Sequence, residues 1–444
     1  GGPVNSYNDG GLYFGPPDAP RLVIRAGDPA PGIPGMNIEL IPGQYALSQS
    51  TGKIAFNAFY LVAPQGAVAG QGIWGGDAFN PHLLAKTGDP VPEMPGSHFG
   101  EFVTWSVNDA GEVAFASQLD TVQDSVLCVS RADGSLRVVA RTGQQVPGMP
   151  PGIGYWRVAD GAFLDNSGHL AFMAFHNDQS RPPSERRAIF YGPIEDPQLL
   201  VFIGQDCPGL ASGDTFADLG GPFMSVSGSV MFRGIARGAD ITPANNFGVW
   251  AGGPGDVHLV IRAGDQAPGL PAGVIVNSLS GSFLSSAGRL VVRGQIAGPG
   301  IDLIDGNLIP DALWAEDATG ALQLVARAGI PMEVEPGNFL TPLGFTLAGE
   351  RSYAPSQSRQ FYNSSGRLLF SVDFIEDGSA ALFTADITPV CRADYNGSDG
   401  VTVADIFDFL NGWFAGDEQA DFNGGGLSVS DIFDFLNAWF AGCA

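Results

Sequence analysis

The sequence predicts a mainly β protein: a six-bladed β-propeller of four-stranded repeats, each about sixty residues long, followed by a small α-helical domain. Three observations carry that reading. A turn-and-strand unit recurs six times, as STGKIAF from Ser50, NDAGEVAF from Asn108, DNSGHLAF from Asp165, SVSGSVMF from Ser225, SSAGRLVV from Ser285 and NSSGRLLF from Asn363. A second series, ending in a Gly-Asp or a close variant, recurs out of phase with it: RLVIRAGD from Arg21, HLLAKTGD from His82, LRVVARTGQ from Leu136, LLVFIGQD from Leu199, HLVIRAGD from His258 and LQLVARAGI from Leu322. Between the two series lies a short aromatic strand in most units, such as GIWGG at Gly72 and GVWAG at Gly248, and no stretch of helical periodicity intervenes.

Each element follows from its residues. Small polar residues and one Gly ahead of an apolar run are the grammar of a tight turn feeding a strand, with Gly supplying a positive φ. The turn glycines fall at Gly52, Gly111, Gly168, Gly228, Gly288 and Gly366, so most units repeat at about sixty residues and the last is longer. One unit reads as a first strand, the turn, a second strand with the Ala-Phe pair, a third with Trp or Phe, and a fourth ending in Gly-Asp. The last unit has no fourth strand after ALFTAD (Ala381 to Asp386), and the orphan strand at Arg21–Asp28 is expected to fill that vacancy and close the ring. GLYFG (Gly11 to Gly15) is then left over, as an added edge strand or as a contact for a second molecule. The Ser-, Pro- and Gln-rich stretch from Gly337 to Gln360 reads as a long surface loop.

Composition limits the function. With Gly 63 and Pro 33, charged residues at 15% and a hydrophobic fraction of 44%, the chain is globular and rich in turns. A formal charge of −25 argues against nucleic acid and anionic membranes, which need basic patches, and suits calcium. No apolar run has membrane-spanning length, and the opening GGPVNSYNDG reads as a mature terminus left by processing. The five histidines are scattered, and HExxH, GxSxG and phosphate-cradling patterns are absent, so the expectation is a protein that is not an enzyme. Asp28, Asp89, Asp206 and Asp265 precede Pro-Gly turns. They are read chiefly as caps of their own turns, and alternatively as a ring of carboxylates for a cation or a glycan.

From Pro389 the composition changes, which sets domains at 1–388 and 389–444. CRADYNGSDGVTVADIFDFLNGWFAG is followed by ADFNGGGLSVSDIFDFLNAWFAG, a duplicated loop and helix. Ile406, Phe409, Leu410 and Trp413 fall at helical spacing, and Ile432, Phe435, Leu436 and Trp439 repeat them, so the two faces bury each other. In the first loop Asp394, Asn396, Ser398 and Asp405 stand at positions one, three, five and twelve, with Asp399 beside them; alternate oxygens of a tight loop can converge on Ca2+. The second loop keeps Asp421, Asn423 and Asp431, but Gly425 replaces an acidic ligand and the loop is one residue shorter, so weaker binding is expected there. Asp at a helix start also suits simple capping.

These paired DxNG…DIFdFLnaWFag segments with a final Gly-Cys resemble the dockerin-like C-terminal modules of secreted planctomycete proteins, and more loosely the dockerins of cellulosomes. The upstream units look like the tandem NxxGxxAF proteins joined to such modules. The resemblance implies export, bacterial cell-surface localisation, calcium-stabilised folding, and attachment to a cohesin-like or other surface scaffold protein. Cys391 and Cys443 are expected to form a disulfide across the module, whose core is small. The expected role is that of an extracellular structural or interaction protein. Alternatives are a dockerin-bearing carbohydrate-active propeller enzyme, and a subunit that self-assembles into a filament or surface layer through GLYFG.

Overall fold

The computed structural model describes residues 10–387 apart from 17, 49, 63–66, 122–123, 305–308, 348–361, 364 and 377, and residues 393–442 apart from 397–400, 418–419 and 423–426; of 40–44, 159–160 and 441 it describes the backbone alone. The chain separates into two compact units, Gly1–Ile387 and Thr388–Ala444.

The first unit is mainly β. Sheet I holds Met36–Leu47, Lys53–Val62, Val68–Asp77 and Asn80–Lys86; sheet II holds Phe99–Val107, Val113–Leu119, Ser125–Ser130 and Leu136–Arg141. Sheet III is Tyr155–Leu164, His169–His176, Arg187–Pro193 and Gln198–Phe202; sheet IV is Thr215–Leu219, Val230–Arg237, Phe247–Ala251 and His258–Arg262, with Phe223–Met224 added on Val230–Arg237. Sheet V is Ile275–Leu284, Leu290–Ala297, Asp311–Glu316 and Leu322–Arg327, and sheet VI has three strands, Pro342–Leu347, Arg367–Phe374 and Ala380–Asp386. Within each sheet the strands pair antiparallel in chain order. Two hairpins stand apart, Gly11–Phe14 with Arg21–Arg25 and Met332–Glu335 with Asn338–Leu340.

The repeated turns lie between first and second strands, and all six glycines have φ between 68° and 92°. The first polar residue of the turn closes it: Asn108 Oδ1 accepts the Glu112 N–H at 3.0 Å, and Asp165 Oδ1 accepts the His169 N–H at 2.7 Å. Neighbouring turns also join each other. Asp109 accepts the Ser50 N–H at 2.9 Å and the Asn166 side-chain amide at 2.8 Å, which aligns sheets I to III along one edge.

The other edge is held by the crossovers. Each fourth strand runs into a turn whose Gly N–H returns to the first strand of the next sheet: Gly27 to the Ile38 carbonyl, Gly88 to Phe99, Gly143 to Tyr155, Gly204 to Phe216, Gly264 to Val276 and Gly329 to Pro342. Three of these turns reach further. The indoles of Trp74, Trp250 and Trp314 donate to the carbonyls of Pro31, Pro208 and Pro268 at 2.9, 3.0 and 3.0 Å. In sheets II, III and VI the same third-strand position carries Cys128, Phe190 and Phe383, as pairing with Phe115, Phe172 and Phe370 shows.

Two expectations about the chain ends are corrected. The strand at Arg21–Arg25 pairs with Gly11–Phe14 rather than with the last sheet, so GLYFG is not left over. Its register, Gly11 with Arg25 and Leu12 with Ile24 before a bulge, matches Gly248 with Arg262 and Val249 with Ile261 in sheet IV. The N-terminal hairpin is therefore a third-and-fourth-strand pair in its own right. Ile24 packs with Ile38, Phe56 and Trp74 of sheet I. Among the described residues no fourth strand pairs with the third strand of sheet VI. Leu382 is 72% exposed, whereas its counterparts Ile73, Leu127, Ile189, Val249 and Leu313 are at most 1% exposed.

Trp250 is fully buried and its indole N–H is spoken for, so Trp250→Ala should lower unfolding stability by about 3–5 kcal/mol in urea titration. Trp250→Phe keeps most of the apolar volume but strips the Pro208 carbonyl of its donor, and should cost about 1–3 kcal/mol.

Candidate functional site

The acidic turn residues are engaged locally. Asp28 accepts the Arg25 N–H at 2.9 Å, Asp89 accepts the Lys86 N–H at 3.1 Å and its ammonium at 2.6 Å, and Asp265 takes the Arg262 guanidinium at 2.6 Å. Asp206 stands one residue further on. At the capping position of that repeat is Gln205, whose amide oxygen accepts the Phe202 N–H at 3.3 Å.

In the second unit, helix α1 spans Val403–Ala415 and helix α2 spans Val429–Ala441. Phe409 and Phe435 are fully buried and stack at 4.1 Å with rings 3° apart. The duplication is reciprocal: the Trp413 indole donates to the Ser428 carbonyl at 3.0 Å, and the Trp439 indole to the Thr402 carbonyl at 2.8 Å. Thr402 and Ser428 are the N-caps of the two helices, and Asp405 and Asp431 complete their capping boxes. Both carboxylates are buried. Burial alone would raise the Asp405 pKa, but N–H donation from Thr402 at 2.7 Å and Asn396 at 3.1 Å holds it below the usual carboxylate range. Each helix leaves an apolar stripe in solvent, Val403, Phe407 and Phe414 on α1 and Val429, Phe433 and Phe440 on α2. Asp394, Asn396 and Asp421 are placed near the helix starts in sequence. Ser398, Asp399, Asn423, Gly425, Cys391 and Cys443 lie outside the described residues, and among those described no cluster of three or more His, Cys, Asp or Glu could hold a metal. Cys128 and Cys207 are buried free thiols.

The geometry adds a site in the first unit that motif reading missed. A cleft of about 420 Å³ opens between sheets II and III, on the edge that carries the crossovers and the second-to-third-strand turns. Gln118, Thr121 and Asp124 line it from sheet II, and Trp156, Arg157 and Phe175 from sheet III. Trp156 is 41% exposed and meets Phe175 edge-on at 6.2 Å, while the Arg187 guanidinium sits 5.6 Å over the Phe175 ring. A polar seam fixes the strand beneath: the Val158 N–H donates to Ser125 Oγ at 2.7 Å, the Ser125 N–H to Thr142 Oγ1 at 2.9 Å, and that hydroxyl reaches the Trp156 carbonyl at 3.3 Å.

The signal that finds this site is a break in the repeat. Each crossover Gly bonds to the residue just before the Trp156 position, so the six first strands align there as Glu39, Gly100, Trp156, Ala217, Asn277 and Leu343. One repeat alone spends a Trp at that place. Folding does not require it, since the other five fold without one.

Next to the cleft strand, His176 is 1% exposed and its Nε2 has no hydrogen-bond partner. Burial, reinforced by Arg181 and Arg186 against the opposing Asp178, lowers its pKa from the model-peptide range. The unfolded chain therefore takes up this proton first, and stability should be full above pH of about 6.5 and fall as pH drops below it. Leu119 fills the matching place in sheet II, so His176→Leu should fold and show a shallower acid loss in thermal melts from pH of about 7 to 5.

Comparison with known proteins supplies a family and a fold likeness. The model of a family of unknown function, DUF7453, matches residues 1–155 and 123–390. No curated protein matches. Among solved structures, an oligogalacturonate lyase from Vibrio parahaemolyticus is 12% identical with a TM-score of 0.35, covering 85% of this chain and 97% of that one. The β-propeller domain of the Trilobed protease from Pyrococcus furiosus, described as having an open velcro topology, is 10% identical with a TM-score of 0.37, covering 77% and 83%. An α-L-arabinanase from Penicillium chrysogenum is 8% identical with a TM-score of 0.31, covering 78% and 95%. At such identities the likeness concerns the fold alone. The expectation of a protein that is not an enzyme is corrected to this extent: solved structures of similar fold include a lyase and an arabinanase, so the fold does not set the chain apart from enzymes.

Proposed function

The chain belongs to the family of unknown function DUF7453, and we propose that it is a secreted, surface-attached bacterial binding protein, the localisation resting on the resemblance of its C-terminal segment to dockerin-like modules. The first unit acts as a six-bladed propeller that presents a binding surface. The N-terminal hairpin packs beside sheet I and supplies a third-and-fourth-strand pair ahead of it. The second unit serves as a dockerin-like anchor for a cohesin-like or other scaffold protein.

The observation that carries the anchoring role is the duplicated helix. The two copies bury one aromatic face against each other and leave Phe407, Phe414, Phe433 and Phe440 exposed. A unit this small leaves large side chains in solvent at a cost in solubility, and such patches mark partner sites. Calcium would be held by Asp394, Asn396, Ser398, Asp399 and Asp405, and more weakly by Asp421, Asn423, Gly425 and Asp431. The fit rests on Asp405: its Oδ1 takes one N–H, from Asn396, and an oxygen with two lone pairs keeps one for a cation. When bound, the cation would neutralise the carboxylates of the loop. A Cys391–Cys443 disulfide would tie the ends of the unit.

A second reading, association between copies, is favoured by the bare third strand of sheet VI. Leu382 lies on an edge that every other sheet covers.

Calorimetric titration of the full chain with Ca2+ tests the anchor. At a hundredfold excess over the dissociation constant, calcium should stabilise the second unit by about 2.7 kcal/mol, and a chelator should reverse the shift. Asp405→Asn should abolish the stronger binding event. Absence of any calcium heat and an unchanged melting curve would refute the anchor as described.

A further inference from the structure

We propose that the cleft between sheets II and III binds a saccharide that carries a carboxylate, with Trp156 as its stacking platform and Arg157 as its charge partner. This rests on reading the first unit as a binding surface and goes on to name the ligand class.

Two features of the cleft point to such a ligand. An indole 41% exposed, at the mouth of a cavity of about 420 Å³, offers a flat apolar face of the kind that the C–H face of a pyranose covers. Phe175 is wedged between that indole and the Arg187 guanidinium, and the seam from Ser125 through Thr142 fixes the Trp156 backbone, so the platform is set before any ligand arrives. Polar groups that can orient a sugar stand beside it: the Gln118 amide, and Asp124, which already accepts the Thr121 hydroxyl at 2.9 Å.

Charge supplies the rest. The chain has Lys+Arg 21 against Asp+Glu 46, and several of its cations are matched, as in Arg131 with Glu112, Arg187 with Asp218 and Arg367 with Asp386. Arg157 is exposed in the cleft, and its guanidinium makes no ion pair or hydrogen bond among the described residues. Its counterparts on the other first strands include Glu101, Asp218 and Ser278, so a cation at this position is peculiar to the repeat that also carries the Trp. A planar fork with free donors beside an aromatic face suits a carboxylate attached to a sugar ring. Asp124 on the opposite wall sets the polarity: the acid group belongs at the Arg157 end, and hydroxyls at the Asp124 end.

The repeat provides variants that other sheets already tolerate. Trp156→Ala copies Ala217, and Arg157→Ser copies Ser278. Calorimetric titration of the full chain with trisaccharides of galacturonic, glucuronic and mannuronic acid, and with cellotriose as a neutral control, tests the proposal. At least one uronate trisaccharide should bind. Trp156→Ala should weaken it tenfold or more, and Arg157→Ser should weaken the uronate while leaving the weak response to cellotriose unchanged. Equal binding by Trp156→Ala overturns the site. Trp156-dependent binding of cellotriose alone overturns the carboxylate while the binding-surface reading stands. If none of the four binds, the ligand class falls; calcium titration judges the anchor separately.

Discussion

A four-stranded sheet with apolar residues on both faces cannot stand in water, and the rest of the first unit follows from that constraint. Each sheet must be covered on two sides, and its neighbours in sequence do the covering. The covering strand arrives through the crossover turn, which is why Gly27, Gly88, Gly143, Gly204, Gly264 and Gly329 repeat the same backbone bond. Where the third strand carries a Trp, a carbonyl of the turn also accepts its indole N–H, so burial of Trp74, Trp250 and Trp314 leaves no orphan donor. The two ends are where covering runs out. The N-terminal hairpin shields sheet I, and Leu382 of sheet VI remains in solvent.

Much of this was legible in the residues. The turn glycines mark their own positive φ, the third-strand aromatics mark buried centres, and the second-unit helices are written at 3.6-residue spacing. Pairing at the chain ends was not legible, because Arg21–Arg25 has the sequence of a fourth strand wherever it lies, and only a register shows that Gly11–Phe14 claims it. Asp206 looked like Asp28 and Asp265 by its neighbours, yet it stands one place later in a turn of equal length, and Gln205 takes the capping task. The cleft escaped because it is a deviation and not a motif: Trp156 and Arg157 mean little until five other repeats are laid beside them.

The second unit solves the same covering problem with two-fold reciprocity. Each helix is too short to be stable by itself, and each gives a Trp to the first turn of the other. The capping carboxylates of Asp405 and Asp431 sit in the same places at the two helix starts. The outer stripes are large apolar groups that the shared core does not use, a separation between what holds the unit together and what it shows to solvent.

The uneven use of Trp has a mechanical consequence. The junctions that bring crossovers onto sheets I, IV and V each have an indole proton shared with the turn, whereas those onto sheets II, III and VI have Cys128, Phe190 or Phe383 in its place. Neighbour-coupled arrays come apart at their weakest junction and not all at once. Under load the strip would part first at a junction without an indole, and sheets III to V, on which the last two indole latches act, would hold as one segment.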